Sequence, residues 1–324
     1  MKNKGRISPT PLSGAKGVEK NESPLPPLSG AKGVNQYYKD KYEKRVQKVT
    51  ISIPFTCPTL DGTLGRRGCW YCGDGSLPHG NDRHLPLAEQ LRLKVEGISK
   101  RYGKDTLMIV YFQTNTNTYA DIQKLREIYT APLKHPEVIG LAIGTRPDCL
   151  SEDVISLLAE LKGRYKEIWL ELGLQSSNDN TLKRINRGHD SAAFSDAVKR
   201  AKAAGLYVAG HMIAGFPWET REDCLTTARF MKECGVDAVK IHPFHVVEGS
   251  EAGEEYKTKP MKLLSVDEYA HLVADILAEL GEEMLILRYT AEPDERVLIA
   301  PEYCKPEYKD VIKKKVAVIM RRSG

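Results

Sequence analysis

Three observations predict an α/β fold, a partial (β/α)6 barrel of the TIM type. Six short apolar or alternating runs are separated by amphipathic helical stretches across about 210 residues, the pattern of repeated parallel βαβ units. Several runs, such as "TLMIVYF" at 106–112, are almost continuously apolar, as expected for strands covered on both faces. The Gly-x-Gly-x-x-Gly loop that an open doubly wound sheet would usually carry after its first strand is absent, which favours curling into a barrel. The expected organisation is a flexible basic N-terminal tail (1–36), a barrel core (37–257) and a small α+β extension (258–324).

The elements follow in order. Residues 1–35 are rich in Pro, Gly, Ser and Lys and hold the octapeptide "PLSGAKGV" twice, at 11–18 and 27–34; they bury too little apolar surface to offset their ordering entropy. "KVTISIPF" is the first strand and leads into a cysteine-bearing loop. Leu87, Leu91, Val95 and Ile98 recur at helical spacing until Gly103 ends that helix. "TLMIVYF", "EVIGLAIGT", "EIWLELGLQS", "LYVAGHMIAGFP" and "DAVKIHPFHVV" are the second to sixth strands. Ser151, followed by Glu152 and Asp153, caps one intervening helix, and Thr220-x-x-Asp223 is a capping box opening another that closes at Gly235. The alternation is expected to stop near residue 258. The helix "SVDEYAHLVADILAEL", a strand within "EEMLILRYTAE" and the basic helix "YKDVIKKKVAVIM" make the extension.

The net charge of +5 is unevenly placed. Residues 1–48 carry eleven basic and four acidic side chains and residues 305–324 carry seven and two, which leaves the middle of the chain about seven charges negative. Basic ends on an acidic body suit phosphate contacts or, equally, plain solvation. No run of about 18 apolar residues marks a membrane span, and "MKNKGRISPT" lacks the apolar core of a secretory signal, so a cytoplasmic location is expected. Seven cysteines, an odd count, argue against a disulfide framework. Cys224 and Cys234 read as buried thiols in a helix, and Cys149 and Cys304 as isolated ones.

The loop "CPTLDGTLGRRGCWYC" places Cys57, Cys69 and Cys72 within sixteen residues, with glycines that let it fold back. Thiolates select zinc or iron–sulfur clusters over hard cations. Structural zinc needs four ligands and would recruit His79 or His84; a [4Fe–4S] cluster with three cysteines leaves one iron open. The position after the first strand of a βα repeat favours the open cluster, because barrels assemble active sites at carboxyl strand ends.

This string, with an aromatic just before its last cysteine, resembles the radical S-adenosylmethionine (SAM) superfamily. The Cys-x11-Cys-x2-Cys spacing is longer than the commonest Cys-x3-Cys-x2-Cys form and is similar to the branch of YhcC-like proteins, related to the catalytic subunit of Elongator. "YFQTNTNTYA", "GTRPDCL", "LELGLQS", "LKRINRGHD", "HMIAGFPWET" and "IHPFHVVEGS" are similar to blocks of that branch in the same order.

The resemblance implies that Cys57, Cys69 and Cys72 ligate a [4Fe–4S] cluster, and that SAM chelates the open iron through its amino and carboxylate groups. It implies SAM contacts at Gln113 and Asn115, where many relatives have Gly-Gly-Glu in place of Gln113-Thr114-Asn115. Glu171 and Gln175 lie four apart on one strand face and would meet the ribose and amine, unless they form a satisfied network in the barrel. Arg187 would face the SAM carboxylate, and His211 is a further polar contact. Trp70, Tyr71 and the backbone of Gly215 and Pro217 are candidates for the adenine. An electron donor such as flavodoxin or ferredoxin is implied as partner, and the Elongator relationship points to tRNA, especially a wobble uridine. The competing expectation is a zinc-stabilised, non-catalytic RNA-binding adaptor.

Overall fold

The structure, a computed structural model, describes residues 32–73, 84–291 and 293–323. A two-residue strand β1 (Lys32–Gly33) and helix α1 (Val34–Tyr42) precede β2 (Val46–Ile51). There follow α2 (Leu87–Tyr102), β3 (Leu107–Phe112), α3 (Ile122–Thr130), β4 (Val138–Thr145), α4 (Glu152–Leu161) and β5 (Glu167–Gln175). Helices α5 (Asp179–Arg184) and α6 (Ser191–Ala203) lead to β6 (Tyr207–Ala214), α7 (Arg221–Glu233), β7 (Ala238–Pro243), β8 (Val246–Val247) and α8 (Glu251–Thr258). Last come α9 (Val266–Leu280), β9 (Leu285–Arg288), β10 (Leu298–Ala300) and α10 (Lys309–Ser323).

The main sheet runs β1-β9-β7-β6-β5-β4-β3-β2, every neighbouring pair parallel. Its seven longer strands curl into a half-barrel with helices outside, the partial barrel that the sequence predicts with one strand more than the six expected. The two faces separate by the two-residue period of a strand. Ile168, Leu170, Leu172 and Leu174 of β5, with Val208 and Met212 of β6 and Val239 and Ile241 of β7, meet the helices in the main core. Trp169, Ala209, Ala238 and Leu285 face inward.

Helix ends follow the capping logic. Thr220 and Asp223 form the reciprocal capping box, as do Ser265 and Glu268, and Ser151 accepts from the Val154 amide. Gly103 and Gly235, with φ of 97° and 79°, end α2 and α7 where a side chain would be strained.

Two boundaries differ from expectation. The tail was expected to run to residue 36, yet Lys32–Gly33 pairs with β9 and Val34 begins α1, because the Tyr38 side chain is buried against the inner face of the sheet. Most of the repeated octapeptide and His79 lie outside the described residues. Nor does the alternation stop near 258: α9 leads to β9, which pairs parallel with β7 and continues the barrel. The helix and the strand were both expected, but as a separate extension; that β9 joins the barrel was hidden because it is only four residues long and ends in Arg288.

Helix α1 covers the amino-terminal end of the half-barrel. There the buried Glu167 carboxylate takes Lys41 at 2.7 Å, Tyr42 Oη at 2.8 Å and Trp169 Nε1 at 2.7 Å. The opposite, carboxyl end is left for the site.

Candidate active site

The cysteine loop leaves β2 through Ser52–Thr56 and is fastened by backbone hydrogen bonds. Gly68 donates to the Thr59 carbonyl at 2.9 Å, Trp70 to Ile185 at 2.9 Å, and Cys72 to Cys69 at 2.8 Å. Trp70 is a structural anchor: it stacks on Phe244, contacts Trp218 and donates from Nε1 to Glu255 at 3.0 Å. Its ring is therefore committed to this aromatic cluster, which corrects the expectation that it packs on a purine. Tyr71 remains at the edge, 6.3 Å from the Phe216 ring.

Cys57 and Cys69 are buried and Cys72 is exposed. Burial pushes the Cys57 thiol up, but the Thr116 and Thr59 hydroxyls and the Arg146 guanidinium outweigh it and hold the thiol below its ordinary value. Arg187 Nη1 lies 3.6 Å from Cys69 Sγ and Nη2 donates to the Gly173 carbonyl at 2.6 Å. Arg146, absent from the residues singled out in the sequence although its block "GTRPDCL" was, is held bidentately by Asp148 at 3.0 and 2.7 Å. Both guanidiniums are buried, yet Arg187 Nε and Arg146 Nη1 find no hydrogen-bond acceptor among the described residues. Such orphaned donors beside thiols suit added negative charge. The donor set fits a thiolate-held iron–sulfur cluster and a carboxylate-bearing cofactor.

Among the described residues no three Cys, His, Asp or Glu side chains converge closely enough to hold a metal ion. A zinc site would need His79, which lies outside the described residues, or His84, which is exposed.

The strand ends around this loop carry unusual backbone. Thr114 and Asn115 after β3 and Gln175 at the end of β5 have φ of 75°, 53° and 80°. Each left-handed non-glycine residue costs on the order of 1 kcal/mol or more, and such strain concentrates at ligand sites. Gln113 lines an inner cavity. Asn115 is exposed, but its Nδ2 donates to the Phe55 carbonyl at 2.7 Å, so it braces the entry to the cysteine loop. Gln175 folds over Gly173, where an added Cβ would stand 2.7 Å from Gln175 Nε2 and 2.6 Å from Arg187 Nη2. Gly173, Gln175, Arg187 and Cys69 thus form one continuous surface.

Glu171 lies deeper. Its side chain is fully buried, with one carboxylate oxygen taken by Lys48 and the other by His211 Nε2 at 2.8 Å and Lys240 Nζ at 3.2 Å. Burial would raise this carboxyl, but Lys240, Lys48 and His211 hold it well below its usual value. An unpaired carboxylate here would cost several kcal/mol, so the cations decide that it is ionised. Glu171 therefore forms the satisfied polar network weighed from sequence. Burial and the Lys240 charge bring His211 down to about 4 despite Glu171, so it is neutral at pH 7.

Comparison with known proteins matches the "Radical SAM superfamily" model to residues 64–231 and the "Radical_SAM C-terminal domain" model to residues 236–317. The chain is 35% identical over 274 residues to protein YhcC of Escherichia coli K12, covering 84% of this chain and 87% of that one. It is 34% identical over 292 residues to protein MJ0486 of Methanocaldococcus jannaschii, covering 89% and 88%. Among solved structures, Elp3 of Methanocaldococcus infernus superposes with a TM-score of 0.67 at 20% identity. That match shares the fold, covers 87% of this chain and spans 64% of the Elp3 chain.

Proposed function

The chain belongs to the radical SAM superfamily, and from that membership we propose that it is an enzyme in which Cys57, Cys69 and Cys72 hold a [4Fe–4S] cluster and the strand ends around them hold SAM. When bound, the cluster and SAM supply a one-electron reductive cleavage that yields methionine and a 5′-deoxyadenosyl radical able to abstract hydrogen from a substrate. The observation that carries the reading is the buried Arg187, which touches Cys69 and Gly173 while leaving Nε unused.

The chain's own residues bind and orient. Arg187 Nε is the donor for the SAM carboxylate, a role suited to a fixed guanidinium. Arg146 supplies a second buried positive charge near Cys57, which favours thiolate over thiol. The Gln175 amide and the Gln113 amide offer neutral donors and acceptors for the amine and ribose. Asn115 acts through the loop by fixing Phe55. Trp70, Phe216, Trp218 and Phe244 wall the loop with apolar rings and keep water from it. Exposed Leu64 with Arg66 and Arg67 on the loop gives an acidic electron donor, such as a flavodoxin or ferredoxin, a basic surface near the cysteines.

For the substrate, we propose a tRNA wobble uridine. Support comes from the likeness to the Elongator catalytic subunit, and from the basic α10 with Lys313, Lys314, Lys315, Arg321 and Arg322.

Anaerobic reconstitution with iron and sulfide, followed by dithionite and SAM, is expected to give a brown protein that releases 5′-deoxyadenosine. Stoichiometric zinc without cluster uptake would overturn the enzyme reading in favour of a zinc-stabilised adaptor. Mass spectrometry of tRNA nucleosides from cells lacking the gene tests the substrate, and an unchanged profile removes tRNA.

A further inference from the structure

The half-barrel encloses a cavity of about 290 Å³ whose lining includes Lys48, Thr50, Tyr111, Gln113, Lys240 and Arg288. The residues come from β2, at one end of the sheet order, from β9, next to the other end, and from β3 and β7 between them, with α1 closing one side. Curling therefore brings the two sheet edges to one opening. Gln113 joins the cavity to the strand end proposed for SAM.

Lys48 and Lys240 in its wall share a single carboxylate, Glu171, and no acidic side chain is among the described residues that line the cavity. Glu171 lies behind the lysines, with its oxygens already engaged by Lys48, Lys240 and His211. One carboxylate needs one cation. His211 and His242 add no charge, because burial lowers both, His211 to about 4. Lys240 also lies 3.1 Å from Tyr111 Oη, and both lysine ammonium groups sit near the Tyr111 ring, at 4.8 and 5.0 Å. Tyr111 thus sets the two ammonium groups over one polar pocket floor.

We propose that this cavity is the seat of an anionic group of the substrate, a carboxylate or phosphate held between Lys48 and Lys240 with Gln113 beside it. The proposal rests on the radical SAM reading, since that chemistry requires the substrate's reactive carbon to lie next to the SAM-binding strand ends. A cavity of this size takes a group of nucleotide-fragment or small-acid dimensions rather than a folded partner. The anion completes the neutralisation that Glu171 alone leaves unfinished.

The titration of Lys240 gives an independent handle. Burial, with Arg288 and Lys48, lowers it to about 8 although Glu171 pulls it up. The groups facing it are Glu171 on β5, His211 on β6, Lys48 on β2, Tyr111 on β3 and Arg288 on β9. Glu171 is held ionised, His211 neutral and Tyr111 protonated at pH 8.5. An anion seated against Lys240 raises its affinity for a proton, so binding at pH 8.5 draws a fraction of a proton from solution.

The test is isothermal titration calorimetry on the reconstituted full chain at low ionic strength, with uridine 5′-monophosphate and with succinate as probes. At least one is expected to bind. Lys48→Met is expected to weaken it tenfold or more with unchanged circular dichroism, and Lys48→Met/Glu171→Gln, which restores the charge balance, to stay equally weak. Preference for the nucleotide assigns a phosphate source, and preference for succinate a carboxylate. Measurements in two buffers of different ionisation heat at pH 8.5 are expected to show proton uptake in the wild type, which decides the matter if the variants fail to fold. Loss of this proposal alone is read as cleavage of SAM by a preparation that binds neither probe, or as binding without proton uptake. A preparation that binds a probe through Lys48 but neither loads a cluster nor cleaves SAM overturns the radical reading and leaves the anion site standing.

Discussion

Arg187 reaches Cys69 Sγ at 3.6 Å with one Nη while its other Nη donates to the Gly173 carbonyl at 2.6 Å. The pair ties the cysteine loop to β5 through a single planar group. Lysine carries the charge but cannot make both contacts. Arg187→Lys is expected to keep the fold and to lower SAM cleavage about 10- to 100-fold, the equivalent of roughly 1.5–3 kcal/mol for one lost charge-assisted hydrogen bond. Release of 5′-deoxyadenosine by the reconstituted variant measures it, and wild-type rates would refute this role.

Replacing Cys57, Cys69 or Cys72 singly by Ala should abolish cluster absorbance and SAM cleavage. Cys224→Ala should spare both. Cys224 is buried in α7, where burial pushes its thiol up to about 12, so its sulfur is an apolar filler. The loss there is on the order of 1 kcal/mol of stability, read by urea denaturation. Equal loss of activity from Cys224→Ala would mean that the ligand set is wrongly assigned.

Gly73 follows the last cysteine and packs against the turn before α8. A Cβ at this position would stand 2.5 Å from the Glu248 carbonyl oxygen and 3.0 Å from the Ser250 amide, both backbone atoms with little room to yield. Gly73→Ala should push Cys72 away from its partners and reduce iron per chain well below wild type, while secondary structure persists. Iron and sulfide analysis after reconstitution checks this.

Acid should weaken the fold before carboxylates protonate. His189 and His211 are brought down to about 4 by burial, and His242 and His245 are also lowered. Their unfolded forms take up protons near 6.5, so the unfolded state gains protons first as pH falls from about 6.5 towards 4. Stability is expected to fall across that window, with a slope of up to about 1.4 kcal/mol per pH unit for each buried histidine. His211→Gln should flatten the slope. Urea midpoints at pH 7, 6 and 5 test this, and parallel wild-type and variant curves would refute it.

Six of the strands were legible because apolar runs of that length, punctuated by glycines and capping residues, leave few other readings. A seventh strand was expected within "EEMLILRYTAE" but outside the barrel, since "LILR" is too short to show which sheet it joins. Glu171 stood out as a polar residue inside an apolar central strand. The same signal marked Lys48 in "KVTISIPF" and Lys240 in "DAVKIHPF", but lysine in an alternating strand also reads as a solvent-facing position. Only the curl of the sheet, which depends on contacts far apart in sequence, puts those lysines on Glu171. Asn115 was placed correctly at a strand end, but its partner, Phe55 O, depends on how the neighbouring loop leaves β2.

Lys32 of β1 pairs with Leu285 of β9, so the two are joined through about 250 residues of chain. Long-range pairings form late, because loop closure must precede the contacts that reward it. The cysteine loop is held by Ile185 and by the turn before α8, whose Glu248 amide donates to the Val297 carbonyl at 2.8 Å, and the lysine-lined cavity is walled by β9 and α1. Loop and cavity therefore both wait for residues beyond 284, so neither is finished until nearly the whole chain is in place.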